Sequence, residues 1–307
     1  EQRELVLGNS SDNHGLFIYV PKNTNVSNPL HLTYINSDDT NGDTALKNVS
    51  QNQFRAVTIL VENNSSITLL ESKYSEQNSS NMKITDSVNI AIRDGATFTY
   101  IKNDNQLNSS DLTTDTDINL DKNANFIHYN LTVSDSNTNN NITASMQNTD
   151  SSAVIKGVNL AIGKAKIENN IIIKHNSPNC ESDLLVKSIV QDSATSIFSG
   201  MALVPQIADK TVAKQSNHNL IVSDQAKAFT KPQFEIYADD VQCSHGATVG
   251  QLDEDQLFYF RSRGIDVKQA KQELMKAFAA ECYSDIEITR VSEILNDMMS
   301  AQISNNN

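Results

Sequence analysis

The sequence predicts a mainly β protein, a parallel β-helix that is followed by a short C-terminal α-helical domain. Short β-branched and aromatic runs recur from about residue 15 to 250, a weak repeat spaces some of them, and a helical pattern replaces them after residue 250. We therefore expect a β-helix over residues 1–250 and a helical domain over residues 251–307.

The strands are predicted from short apolar runs that Asn, Ser and Asp bound on both sides. β-Branched and aromatic residues favour strands, and the polar residues between them favour turns. The clearest runs are 16–20, 30–35, 56–61, 88–92, 126–133 and 167–173. Strands continue over too long a stretch for an ordinary β-sandwich.

A weak internal repeat indicates how these strands are arranged. A polar turn, a small alanine and an apolar strand start recur at Ala96, Ala124, Ala153, Ala194 and Ala226, with spacings of 28, 29, 41 and 32 residues. The stacked coils of a solenoid produce such spacings, with insertions in some coils. Asn and Ser suit the turns, because their side chains bond to the nearby backbone and Asn tolerates a left-handed conformation. A Greek-key or jelly-roll assembly remains the alternative.

After residue 250, caps and apolar spacing predict three helices. Asp253 is the expected N-cap of the first, and Gly264 is expected to end it. The second helix is capped by Asp266. Its predicted apolar face consists of Val267, Ala270, Leu274, Ala277, Phe278 and Cys282. A third helix is predicted over residues 287–299.

The charge of the chain excludes several classes of partner. The formal net charge is −13, from 24 basic and 37 acidic residues. Nucleic acid and anionic lipid both call for a basic surface, so neither is expected as a partner. No apolar run approaches the roughly 20 residues that span a bilayer, so no membrane attachment is expected either. Once nucleic acid and lipid are excluded by the charge, a protein is the expected partner.

The composition is polar, with 38% apolar residues, 37 Asn and 33 Ser. A solenoid accounts for this, because each coil needs only a few inward Val and Ile residues. Three widely spaced cysteines, Cys180, Cys243 and Cys282, form no C-x-x-C pair. They suit a reducing compartment, and we expect a cytoplasmic protein. The chain starts at Glu1 without an initiator Met, so a trimmed fragment is expected.

The densest group of chemically active side chains lies in residues 238–250. On a strand, Cys243 and His245 point to the same face, because they are two residues apart. A thiolate and an imidazole on one face suit a soft or borderline metal. A buried cysteine beside a hydrogen-bonded histidine is the alternative interpretation of the same pattern. Asp239 and Asp240 are expected to be turn or cap groups.

An enzyme is the competing class of function. A β-helical polysaccharide-degrading or carbohydrate-binding protein would carry grouped carboxylates on stacked strands, and Asp115, Asp117 and Asp121 form such a run. A run of this kind is more typical of a solvated loop. No Walker loop, G-x-G-x-x-G or G-x-S-x-G motif occurs, which lowers the expectation of a nucleotide-binding enzyme.

Residues 231–264, which include the Cys-Ser-His-Gly-Ala-Thr motif of residues 243–248, resemble the signature of the SufB/SufD family of iron–sulfur cluster assembly proteins. The likeness is greatest to the SufD branch. Residues 175–183, 196–200 and 208–220 match as well, and the resemblance is strong over about 170–285. It implies a right-handed parallel β-helix with a short helical domain behind it.

The same resemblance implies a non-catalytic scaffold that pairs with a SufB paralogue and binds a SufC ATPase. His245 is then the residue contributed to a nascent cluster at the SufB interface, and Cys243 is structural. The residues expected to dock the ATPase are Leu257, Phe258, Phe260, Leu274 and Phe278, of which some must instead seat the helices on the β-helix. No cofactor is expected to be held firmly by this chain alone; the cluster, and any reduced flavin, would belong to the complex. The isolated chain is expected to form a homodimer.

Overall fold

The computed structural model describes residues 6–10, 14–36, 52–75, 83–106 and 111–283. The elements of these residues are strands up to residue 251, followed by helices. The strands are β1 (Val6–Ser10), β2 (His14–Val20), β3 (Leu30–Asn36), β4 (Asn52–Val61), β5 (Ser66–Ser75), β6 (Lys83–Ile92), β7 (Thr97–Gln106), β8 (Asp111–Leu120), β9 (Asn125–Ser134), β10 (Asn137–Met146), β11 (Ser152–Ala161), β12 (Lys166–His175), β13 (Glu181–Val190), β14 (Thr195–Val204), β15 (Val212–Ile221), β16 (Lys227–Ile236) and β17 (Gln242–Gln251). The helices are α1 (Glu254–Ser262) and α2 (Val267–Ala280).

Successive strands alternate between two parallel sheets. The first sheet has the order β1-β2-β4-β6-β8-β10-β12-β14-β16, and the second has the order β17-β15-β13-β11-β9-β7-β5-β3. Every pairing is parallel except that of β1 with β2. Each pair of consecutive strands is thus one coil, so the predicted β-solenoid is confirmed and the Greek-key alternative is wrong.

The sharp corner between the two sheets repeats one backbone conformation. Non-glycine residues adopt positive φ angles there in coil after coil, including Asn64 (54°), Asn123 (53°) and Asn179 (57°). At the equivalent position Gly95 has a φ of 66°, and a Cβ added to it would lie 2.7 Å from Asn64 Oδ1. Asparagine tolerates this left-handed conformation better than most residues, which explains part of the unusual composition.

The alanines of the predicted repeat lie at two different corners of the coil. Ala96 and Ala124 precede the paired residues Thr97 and Asn125 at the sharp corner. Ala194 and Ala226 precede Thr195 and Lys227 on the opposite side of the coil. The 41-residue interval therefore reflects the change from one corner to the other. The insertion predicted from this interval is wrong.

The interior is divided lengthwise into an apolar half and a polar half. Inward residues near the sharp corner are apolar and include Ile59, Ile90, Phe98, Ile118 and Phe126. Inward residues near the opposite corner form two polar ladders, which we call the polar seam. One ladder comprises Arg55, Asp86, Thr114, Asn140 and Asn169 of the first sheet, and the other comprises Lys73, Asp104, Thr132, Asn159, Ser188 and Asn219 of the second sheet, with Glu71, Lys102 and Asn130 beside it.

The front of the polar seam is a buried group of six ionisable side chains, the charge cluster. Lys73 Nζ lies 2.8 Å from Glu71 Oε1 and 2.5 Å from Asp86 Oδ2. Its third carboxylate neighbour is Asp104 Oδ1, at 3.3 Å. The cluster comprises the cations Arg55, Lys73 and Lys102 and the carboxylates Glu71, Asp86 and Asp104, all of them buried. Burial opposes ionisation of Asp86, but the charges of Lys73 and Arg55 outweigh it and lower the pKa of Asp86 to about 2.

The two described helices follow the predicted caps. Asp253 accepts hydrogen bonds from the backbone of Asp255 and Gln256, and Asp266 accepts one from Gln269. The predicted inner face of α2 is partly wrong, because Ala270, Met275 and Ala279 are its buried residues whereas Val267 is 43% exposed. Leu274 and Phe278 are half-buried, and Ala277 is exposed. The predicted third helix lies outside the described residues.

Helix α2 packs on the outer face of the second sheet. Met275 and Ala279 join a cluster of outward residues that includes Val158 and Ile189. Lys187 of β13 donates a hydrogen bond to Phe278 O at 3.1 Å, forms an ion pair with Glu281 and lies 4.5 Å from the centre of the Phe278 ring. None of the described helices is both long and apolar enough to cross a lipid bilayer.

Two buried histidines predict that acid destabilises the fold. Burial lowers the pKa of His128, whose Nδ1 lies 2.9 Å from Tyr100 O, to about 4. Burial also lowers the pKa of His175 to about 4. Between pH 6.5 and 4 the unfolded chain binds more protons at these sites than the folded chain, so stability falls as pH falls. We expect a loss of about 2 kcal/mol per histidine between pH 7 and pH 5, measured by urea unfolding.

The variant His128→Gln supplies the control for this pH dependence. Glutamine cannot take up a proton, so the variant should lose about half of the slope of stability against pH in that range. A wild-type unfolding free energy that is the same at pH 7 and pH 5 would contradict the prediction.

Candidate functional site

The last coil of the solenoid presents two strands with open edges. Among the described residues, β16 pairs only with β14 and β17 pairs only with β15. Large apolar side chains are exposed there, with Phe229 at 57%, Tyr237 at 64% and Val249 at 52%. An open edge offers unpaired backbone donors and acceptors to another strand. Together with the exposed apolar side chains, this coil has the properties of a protein interface.

His245 lies in the middle of this open edge. It pairs with Gln215 of β15, and its ring stacks on Phe234 of β16 with centroids 4.9 Å apart and an interplanar angle of 11°. The side chain is exposed, and neither ring nitrogen has a hydrogen-bond partner among the described residues. The stacking holds the ring in place while both nitrogens remain available to a ligand.

Cys243 lies two residues before His245 and points to the same side of β17, as the spacing predicts. It is half-buried and packs against the cluster of Val204, Ala208 and Ala238. Burial raises the pKa of its thiol, although a backbone hydrogen bond with Ala213 opposes the shift. The thiol is therefore mainly protonated at neutral pH, which makes it a poor nucleophile until a metal displaces the proton.

Asp239 and Asp240 lie in the corner between β16 and β17. The backbone carbonyl of Asp240 accepts a hydrogen bond from Lys210 N at 2.6 Å, at one of the positive-φ positions. Within the described ranges, no three His, Cys, Asp or Glu residues come close enough together to hold a metal ion. His245 and Cys243 thus provide at most two donors, whereas iron and zinc sites in proteins commonly need four. A metal or cluster bound here would require further ligands beyond those that the described residues offer.

The acidic run proposed for carbohydrate chemistry does not form a site. Asp115 points outward from β8, and its Oδ1 accepts a hydrogen bond from Asn141 at 2.7 Å. Asp121 lies in the following corner, 3.1 Å from Arg93 Nη1. Asp115 and Asp121 are thus each engaged with a neighbouring coil rather than with one another.

The five residues predicted to dock a partner lie in different environments. Leu257 is buried and Phe278 packs beneath Lys187, so both contribute to this chain's own packing. Phe260 and Leu274 are half-buried, and Phe258 is 69% exposed. Sequence reasoning missed Tyr259, which is 57% exposed and stacks edge-on with Phe260 at 6.4 Å. Its position next to Phe258 in the predicted helix is the sequence feature that could have identified it.

Comparison with known proteins gives consistent matches. The family model for the SufBD core domain of SUF-system iron–sulfur cluster assembly matches residues 43–278. The chain is 50% identical over 109 residues to the iron–sulfur cluster assembly protein SufD of Escherichia coli, which covers 36% of this chain and 26% of that protein. It is 27% identical over 325 residues to a SufBD family protein of Synechocystis, covering 98% and 69% of the two chains.

A third relative gives the same result over most of the chain. The chain is 28% identical over 302 residues to SufD of Bacillus subtilis, covering 95% of this chain and 64% of that protein. Its matches therefore span between about a quarter and about two thirds of these relatives' lengths.

Proposed function

This chain belongs to the SufB/SufD family of iron–sulfur cluster assembly proteins, in its SufD branch, and from that premise we propose that it is a non-catalytic scaffold on which a nascent cluster forms. The observation that carries the proposal is His245 at the open edge of the last coil. Its ring stacks on Phe234 and both of its nitrogens are available, yet the described residues bring too few donors to complete a site. The scaffold therefore acts by contributing one part of a shared site.

The partner that completes the site is a SufB paralogue. Another β-helix that presents its own last coil would continue both sheets through the open edges of β16 and β17. The exposed apolar residues around the edges, among them Tyr237 and Val249, would be buried by the same contact. A second copy of this chain meets the same geometric requirement, which supports a homodimer when the chain is alone.

The helical region is the proposed docking site for a SufC-type ATPase. Phe258 and Tyr259 of α1 expose aromatic surface that the described part of the chain leaves uncovered, with half-buried Phe260 beside them. Aromatic residues of this kind commonly form the centre of a protein interface. Leu257 is buried and Phe278 packs beneath Lys187 of the solenoid, so neither is proposed as a docking residue.

The cluster is cargo in this proposal, and a reduced flavin would belong to the assembled complex. Neutral imidazole is a suitable iron ligand, and the protonated thiol of Cys243 fits a structural role. The three cysteines that the structure describes are free rather than paired in disulfides, as expected in the cytoplasm, where we propose that the protein works.

Replacing His245 with Ala should lower cluster formation by the complex about tenfold or more, because it removes a donor of the shared site. The measurement is the rate at which the purified complex accumulates the visible absorbance of a cluster. The complex itself should still assemble, since the exposed ring contributes little to folding. The matched control is His218→Ala, which removes a histidine from the neighbouring strand β15 on the opposite face of the sheet.

Two results would contradict the assignment. One is a normal rate of cluster formation in the His245→Ala complex. The other is an equal loss in the His218→Ala control, which would indicate a general disturbance of the edge. Loss of ATPase binding in either variant would instead contradict the proposal that the ATPase docks on the helical region.

A further inference from the structure

The polar seam contains five asparagines that are almost completely buried, each with one polar atom that has no hydrogen-bond partner among the described residues. The bare atoms are Asn130 Oδ1, Asn140 Oδ1, Asn159 Oδ1, Asn169 Nδ2 and Asn219 Oδ1. The exposure of these residues is between 1% and 8%. Buried polar atoms in folded proteins nearly always have a partner, so the repetition along one line calls for an explanation.

The other half of each asparagine is already bonded in a way that fixes the side chain. Asn140 Nδ2 donates to Asn169 Oδ1 at 3.2 Å, and Asn159 Nδ2 donates to Ser188 Oγ at 3.2 Å. These bonds run from coil to coil along the axis of the solenoid. The bare atoms are therefore held in place within the interior.

Polar side chains of the two sheets meet at three places along the seam. Lys102 Nζ of the second sheet lies 3.1 Å from Thr114 Oγ1 of the first. Further along, Thr138 Oγ1 lies 3.1 Å from Ser134 Oγ, and Ser196 Oγ lies 2.9 Å from Ser188 Oγ. The bare amide atoms therefore lie in a part of the interior where polar groups of both sheets meet.

One position in the seam carries no side chain. Gly157 is buried, pairs with Asn130 and lies two residues before Asn159 on the same inward face. A Cβ added to Gly157 would meet its nearest atoms, Asn130 O and Val186 Cγ2, only at 3.8 Å. A side chain is thus missing between two asparagines whose side-chain oxygens are bare, and a water molecule, which needs two to four polar partners, is the ligand that such a position suits.

We infer that the polar seam binds a row of internal water molecules, one of them beside Gly157. Water both donates and accepts, so it matches a line of four bare oxygens and one bare amide nitrogen. The charge cluster closes the front of this row, and Asn219 ends the second ladder one strand before β17. The site is separate from the proposed cluster site, and nothing in the inference depends on that function.

Substitution of Gly157 distinguishes a hydrated seam from a dry one. In a dry seam, Gly157→Ala would fill empty space and reduce the freedom of the unfolded chain, so the melting temperature of the full chain would rise. In a hydrated seam the methyl group displaces the water and leaves both oxygens bare. We then expect a melting temperature at least about 2 °C below that of the control Gly250→Ala, a strand glycine with open space around it.

A melting temperature of Gly157→Ala equal to or above that of Gly250→Ala would overturn the inference. A crystal structure of the wild-type chain provides a measurement that needs no variant. We expect density for water within about 2.7–3.2 Å of the bare atoms of Asn130, Asn140, Asn159 and Asn169. A well-resolved interior without density at those positions would overturn the inference as well.

Discussion

Replacing Lys73 with Met should lower the free energy of unfolding by about 3–5 kcal/mol, one of the largest effects expected for a single substitution in this chain. Lys73 is 1% exposed and lies between three carboxylates. Their attraction outweighs the effect of burial and raises the pKa of Lys73 above its usual value. Methionine fills a similar volume, so the loss would come from charge rather than from packing.

The expected size follows from what remains in the charge cluster. The complete cluster has three cations and three carboxylates, and removal of Lys73 leaves one buried negative charge uncompensated. Asp86 keeps Arg55, whose Nε lies 2.7 Å from Asp86 Oδ1, and Asp104 keeps Lys102 at 2.5 Å. Glu71 keeps only the hydroxyl of Tyr100, at 2.7 Å, among its described partners. An unpaired buried carboxylate is costly and tends to take up a proton.

Chemical denaturation of the variant and of a matched surface variant provides the test. Lys166→Met removes a lysine that pairs with Glu168 at the surface, and it should change stability by about 1 kcal/mol or less. The double variant Lys73→Met, Glu71→Gln should recover part of the loss, because it removes the uncompensated charge. Equal effects of Lys73→Met and Lys166→Met would show that the cluster is not held as the structure describes.

Replacing Phe126 with Ala should cost about 3–5 kcal/mol for a different reason. Phe126 is completely buried, and its ring centroid lies 6.1 Å from that of Phe98 and 5.8 Å from that of His128. Removal of its ring would leave a cavity in the interior that the neighbouring coils cannot close. Phe54→Ala is the control, because Phe54 is 46% exposed on β4 and should lose far less. Similar urea midpoints for the two variants would contradict the interior packing.

The sequence predicted the arrangement of the coils better than the direction in which each side chain points. Runs such as 167–173 marked the strands, and Asn in the corners agreed with the left-handed turns. The alternation within β12 was ambiguous, however, because Asn169 points inward and Asn170 outward although both are asparagine. The direction of each side chain depends on the registers of β10 and β14, which local sequence does not specify. The polar seam was therefore missed.

The candidate site shows the same division between residue type and environment. The two-residue spacing placed Cys243 and His245 on one face, and the structure confirms that geometry. The stacking of His245 on Phe234 depends on contact between the two sheets, which a pattern within one strand cannot reveal. The face of α2 was misjudged because Met275 and Ala279 meet the outer side of the second sheet, a surface that lies far away in the sequence.

The attachment of α2 through Lys187 determines where a mechanical load would enter the solenoid. Lys187 lies on β13, and the order of its sheet places β15 between β13 and the edge strand β17. A pull on the helices would reach the third strand from the end, where ten-residue parallel pairings on both sides spread the shear. Because α1 also follows β17 directly in the chain, a force applied to α1 and α2 would load β17 and β13 together, and the last coils would move as one block.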